Sequence, residues 1–149
     1  MSYRNLVLVL LAFFSASGVV SAAGWQTDYA KALELAKAEN KRVLLDFTGS
    51  DWCGPCIQFK KMVFSKPQFS TYAAKNLVLV EVDYPQQKKL SAAVVKQNER
   101  LAKEYGIDVK GYPTVVLLDP NGKILREFTG YAGESASEII DWIEGKIKN

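Results

Sequence analysis

The two cysteines of this 149-residue chain, Cys53 and Cys56, lie three positions apart in the stretch DFTGSDWCGPC, residues 46 to 56. Residues three apart on a helix share one face, so their α-carbons come within disulfide range. If a helix begins here, its unpaired backbone N–H groups and the positive end of its dipole stabilise a thiolate at Cys53. The thiolate is the form of cysteine that attacks a disulfide. This spacing therefore predicts a redox couple in which Cys53 is the nucleophile and Cys56 the resolving thiol.

Two other uses of the cysteine pair are open at this stage, a copper site and a structural disulfide. The chain has no histidine, so it cannot form a Cys-His nucleophile pair, and two cysteines alone cannot complete a tetrahedral zinc site. Two thiolates could bind a soft ion such as Cu(I), although the methionine and histidine ligands typical of such sites are missing. A disulfide that closes so short a loop removes little chain entropy and is a weak staple. The redox couple is therefore favoured, with no metal and no cofactor expected.

Length and composition indicate one globular domain. Hydrophobic residues make up 48% of the chain and charged residues 23%, as is usual for a protein with a single core. The net charge is +3, and the basic residues are scattered without a long run. That distribution argues against nucleic-acid binding.

Residues 1–23 are typical of an export signal. Arg4 supplies a positive start, the apolar run LVLVLLAFF follows, and small residues lead up to Ala23. An uncleaved membrane anchor is the alternative, because the uncharged stretch after Arg4 is nearly long enough to span a bilayer. We therefore expect a cleaved signal peptide over 1–23, a domain over 24–149, and an extracytoplasmic location in which disulfides persist.

Apolar runs and helical patterns alternate along the rest of the chain. RVLLDFT, LVLVEVD and TVVLLD are typical of buried strands, and the turn PNG predicts that KILREFTG returns as an antiparallel strand. This order predicts an α/β fold, with a mixed central sheet of about four strands and helices on both faces. The predicted helices lie at 27–41 with Thr27 as the cap, at 57–65, at 87–106, and after Ser135, where Glu138 completes capping-box spacing.

Asp46 is a charged residue inside the apolar run VLLDF, where a carboxylate is rarely buried without a partner. Burial would raise its pKa toward the range in which it can act as a general base. The alternative is a position at the end of the strand that reaches water.

Three residues around the sulfurs have predicted parts in binding. Trp52 either forms an apolar platform beside the sulfurs or packs inside the fold. Gly54 allows the backbone of a partner to approach closely. Pro55 suits the first turn of a helix, where its missing N–H has no cost.

The stretch WCGPC resembles the redox motif of thioredoxins, and the resemblance extends from about Trp25 to Ile147. VLLDF is similar to the central thioredoxin strand, and YGI, GYPT and LLDPNGK follow in the order of that family. FTGSDWCGPC and the long helical segment are more similar to exported thioredoxin-like proteins related to the C-terminal domain of bacterial thiol–disulfide interchange reductases. The resemblance implies the thioredoxin-like fold.

The resemblance also implies roles for individual residues. The bond between Tyr112 and Pro113 would be cis and would face the cysteines. The Tyr112 backbone would then bind a substrate chain as an added strand. Asp46 would lie beneath Cys56 and help to move its proton.

Three features depart from the thioredoxin pattern. The link between Asp46 and the first cysteine is one residue longer than usual, so Gly49 and Ser50 are expected to form a bulge or a tight turn. The lysine that thioredoxins place near the buried aspartate is replaced by Leu79 or Glu81. The segment that leads into and through the long helix is longer than in thioredoxin.

The predicted activity is that of an extracytoplasmic thiol–disulfide oxidoreductase, which reduces or isomerises protein disulfides through a mixed disulfide. The Gly-Pro dipeptide favours these directions, because strongly oxidising members of the superfamily usually carry a histidine between the cysteines. A reductase in an oxidising compartment needs electrons, so we expect a membrane electron donor beside protein disulfide substrates. We expect a monomer, periplasmic or secreted, without nucleic-acid partners. The alternative is a Cu(I)-binding chaperone-type module that uses the same pair.

Overall fold

The computed structural model describes residues 24–148. The predicted signal peptide, residues 1–23, lies outside the described residues, as does Asn149. Across 24–148, none of the helices is both long enough and apolar enough to cross a membrane.

One mixed sheet of five strands runs through the described part of the chain. The strands are β1 (Trp25–Gln26), β2 (Arg42–Thr48), β3 (Leu77–Asp83), β4 (Thr114–Leu118) and β5 (Ile124–Thr129). Their spatial order is β1-β3-β2-β4-β5. β1, β3 and β2 are parallel, β4 is antiparallel to β2, and β5 is antiparallel to β4. The predicted mixed sheet is confirmed. The sequence pattern missed β1 because two residues are too short to show an alternation.

Six α-helices and one π-helical segment accompany the sheet within residues 24–148. They are α1 (Tyr29–Glu39), α2 (Gly54–Phe59), the π-helical segment Lys60–Phe64, α3 (Pro67–Asn76), α4 (Ala92–Tyr105), α5 (Ile107–Lys110) and α6 (Ala136–Ile143). The predicted capping box of Ser135 and Glu138 opens α6 and is confirmed. The predicted cap of α1 is wrong, because Asp28 and not Thr27 accepts the Lys31 N–H.

Helices cover both faces of the sheet, as predicted. Successive residues of β2 point to opposite faces, so Val43, Leu45 and Phe47 pack against α1 and α4, and Leu44 packs against Phe59 of α2. The π-helical segment, α3 and α6 complete the second of these cores. Burial of both faces accounts for the near-continuous apolar runs of β2, β3 and β4.

The face of the sheet that carries Leu44 changes from apolar to polar at one end. With a period of two residues, Leu44 on β2 is followed on the same face by Asp46, and Leu79 on β3 is followed by Glu81 and Asp83. Asp46 and Glu81 are direct partners in the parallel β2–β3 ladder. The carboxyl ends of these strands therefore bring three carboxyl side chains to the edge from which the cysteine-bearing loop departs.

Candidate active site

A tight turn joins β2 to α2. The backbone N–H groups of Trp52 and Cys53 both donate to the Gly49 carbonyl oxygen, at 3.3 and 2.9 Å. A Cβ atom on Gly49 would collide with the indole ring of Trp52, so the turn closes this tightly only with glycine. The predicted turn at Gly49 and Ser50 is confirmed. It accommodates the one residue by which the TGSD stretch exceeds the usual thioredoxin link.

Cys53 and Cys56 form a disulfide at the start of α2, with their Cα atoms 5.2 Å apart. Cys53 is the N-cap residue, and its Sγ atom accepts a hydrogen bond of 3.3 Å from the Cys56 N–H. In the reduced protein the same N–H would stabilise a thiolate on Cys53. Both cysteines are nearly buried, 6% and 3% exposed, so position on the helix rather than exposure distinguishes them.

The dipeptide between the cysteines is exposed to solvent. Gly54 begins α2 and Pro55 occupies its first turn, as predicted. A Cβ atom on Gly54 would meet nothing within 4 Å, so the fold itself does not require glycine here. The missing side chain leaves the surface above the disulfide open to another molecule.

Ser50 and Asp51 bind the turn to the segment that follows β3. The backbone N–H and hydroxyl of Ser50 donate to the Asp83 carboxylate at 2.9 and 2.6 Å. The Asp51 carboxylate accepts the backbone N–H groups of Gln86, Gln87 and Lys88 at 2.8–3.0 Å. These hydrogen bonds hold the pKa of Asp51 below its usual value. Residues 86–88 are therefore not helical, and the helix predicted over 87–106 begins only at Ala92.

Trp52 packs against the fold with part of its side chain and exposes the rest, so it combines the two alternatives, packing and an apolar platform beside the sulfurs. Its indole N–H donates to the Tyr84 carbonyl oxygen at 2.7 Å, and its ring meets the Tyr112 ring edge-on at 5.6 Å between centroids. Tyr84 and Tyr112 also pack against each other, at 5.3 Å. The Trp52 side chain nevertheless stays 41% exposed, so one side of it is available as an apolar surface beside Cys53.

The loop before β4 lies next to this aromatic group. The bond between Tyr112 and Pro113 is cis, which confirms the expectation drawn from the resemblance. Pro113 is buried and Tyr112 is half-buried. Within residues 24–148, the backbone N–H and C=O of Tyr112 make no hydrogen bond, so both are free to pair with an extended peptide.

Asp46 is buried, 5% exposed, and the alternative in which it reaches water is wrong. Its Oδ1 atom has no hydrogen-bond partner among the described residues. Burial raises the pKa of Asp46 from 3.8 to about 8, the carboxylates of Glu81 and Asp83 add to this shift, and the charge of Lys60 opposes it. The group is therefore largely protonated at neutral pH.

Sequence reasoning missed Lys60. Its ammonium group binds the Glu81 carboxylate at 2.7 Å and acts on Asp46. Lys60 follows Cys56 by one helical turn, so the two residues share one face of the helix. Two features of the sequence could have identified Lys60: its spacing of four residues from Cys56, and the acidic residues Glu81 and Asp83 two positions apart on β3.

Comparisons with known proteins agree on one family. The family model described as a thioredoxin-like domain matches residues 29–146. Disulfide bond reductase DsbH of Chlamydia pneumoniae is 35% identical over 124 residues, which cover 83% of this chain and 72% of that protein. Thiol:disulfide interchange protein DsbD of Actinobacillus pleuropneumoniae is 29% identical over 112 residues, 74% of this chain and 17% of that protein.

A solved structure has the same arrangement of elements. The structure of DsbH oxidoreductase superposes with a TM-score of 0.74 at 30% sequence identity, and the match covers 99% of this chain and 96% of that one. The fold implied by the resemblance is thereby confirmed.

The first prediction concerns the burial of Asp46. In the unfolded chain the pKa of Asp46 is near 3.8, whereas in the folded protein burial raises this pKa to about 8. Between these values the unfolded state binds fewer protons, so stability falls as pH rises. Asp46→Asn removes this penalty and should raise the free energy of unfolding at pH 7 by roughly 2–4 kcal/mol, with no gain near pH 3.

Denaturant unfolding of the oxidised protein at both pH values measures this effect. Asp108→Asn, which changes an exposed carboxylate, is the matched control. A gain at pH 7 no larger than that of the control would contradict the account of Asp46.

The second prediction concerns Asp51. Asp51→Ala removes the acceptor of three backbone N–H groups, so the amides of residues 86–88 should exchange with solvent at least about tenfold faster, as for a locally opened segment. Hydrogen exchange followed by NMR measures this residue by residue. Asp51→Asn, which keeps one acceptor oxygen, should have an intermediate effect, and unchanged exchange in Asp51→Ala would show that the segment is held by other contacts.

Proposed function

Because the chain belongs to the thioredoxin-like family and is a thiol–disulfide oxidoreductase, we propose that it reduces or isomerises protein disulfides outside the cytoplasm through the Cys53–Cys56 couple. The observation that carries the proposal is the disulfide at the first turn of α2, with Cys53 as the N-cap and open space above Gly54. At that place the start of the helix favours the thiolate of Cys53, and a substrate disulfide can reach its sulfur without obstruction.

The first step is attack by the Cys53 thiolate on a substrate disulfide. A bond forms between the Cys53 sulfur and one substrate sulfur, and the substrate S–S bond breaks. The other substrate sulfur leaves as a thiolate and takes a proton from solvent. The N–H of Cys56 and the start of α2 stabilise the attacking thiolate.

The second step is resolution of this mixed disulfide by Cys56. Cys56 must lose its proton first, and Asp46 accepts it in the fraction of the protein in which this carboxyl group is ionised, a fraction that grows as the pH approaches 8. The Cys56 thiolate then attacks the Cys53 sulfur, forms the intramolecular disulfide and releases the second substrate sulfur as a thiolate. The substrate has gained two electrons, and the protein is left in the oxidised state of this structure.

Substrate recognition in this proposal uses the surface around the disulfide. An extended peptide pairs with the free backbone groups of Tyr112 beside Pro113, as an added strand. The exposed side of Trp52 supplies apolar contact. Gly54 and Pro55 leave room for the substrate backbone above the sulfurs.

The direction of electron flow and the location are also parts of the proposal. The Gly-Pro dipeptide supports reduction or isomerisation, and the name of the relative DsbH, a disulfide bond reductase, agrees with reduction. Each reduced substrate leaves the protein oxidised, so an electron donor, which we place in the membrane, must regenerate the dithiol. Residues 1–23 act as the export signal, and 24–149 work as a monomeric domain.

Reduction of insulin by dithiothreitol, followed by turbidity, tests this function. The wild-type protein should accelerate precipitation of the insulin B chain, because its couple turns over between insulin and dithiothreitol. Cys53→Ser and Cys56→Ser should each return the rate to that of dithiothreitol alone, since one lacks the nucleophile and the other cannot resolve. Wild-type protein no faster than either variant would rule the function out.

A further inference from the structure

A cavity of about 290 Å³ opens beside the resolving cysteine. Cys56 and Ile57 of α2 line it, together with Lys60 and Lys61 at the start of the π-helical segment. None of the described residues that line it is acidic. Because the Cys56 sulfur is bonded to that of Cys53, the cavity lies next to the place where a substrate disulfide reacts.

The helical chain after Cys56 directs two lysines to this cavity. Lys61 follows Ile57 by four residues, so the two side chains lie on the same side of the helix. The Ser65 N–H donates to the Lys60 carbonyl oxygen at 2.8 Å, a bond that spans five residues and makes this turn wider than an α-helical one. Ser65 therefore lies one wide turn beyond Lys60 and lines the same cavity.

The positive charge of the cavity is only partly compensated. Lys60 is 51% exposed and binds the Glu81 carboxylate at 2.7 Å, but Glu81 is 16% exposed and does not line the cavity. Lys61 is exposed and makes no ion pair within residues 24–148. A ligand in the cavity therefore meets ammonium groups and no carboxylate, a setting that attracts an anion.

A hydroxyl group adds a hydrogen-bond donor. Thr48 ends β2 and is 4% exposed, it lines the cavity, and its side chain makes no hydrogen bond in the described part of the chain. A buried polar group without a partner costs free energy, so an acceptor that enters the cavity gains from this hydroxyl. Ammonium and hydroxyl donors together fit a carboxylate, and Ile57, 43% exposed, offers apolar contact to its methylene stem.

We propose that this cavity is a subsite for an acidic residue of the protein substrate, and that Lys61, supported by Lys60, makes the protein select disulfides with a glutamate or aspartate nearby in sequence. The proposal rests on the function proposed above. An extended chain advances about 3.3 Å per residue, so the acidic residue lies roughly two or three positions from the reacting cysteine. The lysines bind and position the substrate and take no part in the exchange of sulfurs.

Reduction of synthetic peptides tests this selectivity. Each peptide has one intramolecular disulfide, and two peptides differ only in carrying glutamate or lysine at the second and third positions outside each cysteine. Reduced protein, freed of dithiothreitol, is mixed with each peptide, and the rate constant is divided by that of dithiothreitol with the same peptide. This ratio removes the effect of charge on the peptide disulfide itself.

The wild-type protein should reduce the glutamate peptide about fivefold faster than the lysine peptide at low ionic strength, because exposed ion pairs of this kind contribute modestly. The preference should shrink as salt screens the charges. Lys61→Glu should reverse it and reduce the lysine peptide faster than the wild type does. Structural damage cannot produce such a gain in rate.

Two matched variants separate the site from general charge. Lys61→Arg keeps the cation and should keep the wild-type preference. Lys75→Glu makes the same charge reversal at an exposed position two residues before β3 begins, at the end of the sheet away from the cysteines, and should also keep it. Equal rates of the wild type on the two peptides, or an order that Lys61→Glu leaves unchanged, would overturn the proposal.

A small uncharged substrate distinguishes this failure from failure of the proposed function. 2-Hydroxyethyl disulfide is too short to reach the cavity while it reacts at Cys53, so the wild type and Lys61→Glu should reduce it at the same rate. Wild-type protein that reduces the small disulfide but does not distinguish the peptides would refute the subsite alone. Wild-type protein that reduces none of them would refute the function on which the subsite depends.

Discussion

The Asp46 side chain places an ionisable group in the centre of the sheet, where its Oδ1 atom has no hydrogen-bond partner in the part of the chain described. Its strand pairs on both sides, with β3 and β4, so the carboxyl group cannot turn to water without breaking these ladders. Desolvation holds the proton on the group to a pH of about 8. The fold loses stability at neutral pH by keeping this residue, and the proton transfer that we propose for Asp46 would account for its retention.

The loop that carries the cysteines is shaped by the same polar end of the sheet. Asp83, the last residue of β3, holds Ser50, and Asp51 in turn holds the backbone of residues 86–88. The additional residue of the TGSD stretch therefore does not displace Asp46 from the core. It forms a turn whose side chains bind the segment before α4 to the active site, and Trp52 extends this contact through its bond to the Tyr84 carbonyl oxygen.

Elements with a strong local signal could be predicted from the sequence. β2 and β3 begin and end where their apolar runs do, and the capping box of α6 is present, because burial and capping act within a few residues. The start of α4 was predicted too early, since its first turn competes with hydrogen bonds to Asp51, which is distant in sequence. The Lys60–Glu81 pair was missed for the same reason: it depends on how the start of the π-helical segment after α2 lies against β3, and neither segment alone shows that contact.

The order of attack by the two sulfurs is the central claim, and trapping tests it most directly. Reduced Cys56→Ser and Cys53→Ser proteins are each incubated with a protein that contains one disulfide, quenched with acid, and mapped by mass spectrometry. The N-cap position of Cys53 predicts that a mixed disulfide on Cys53 accumulates in Cys56→Ser and that Cys53→Ser forms little or none. Equal accumulation in the two variants, or preferential linkage through Cys56, would contradict the account.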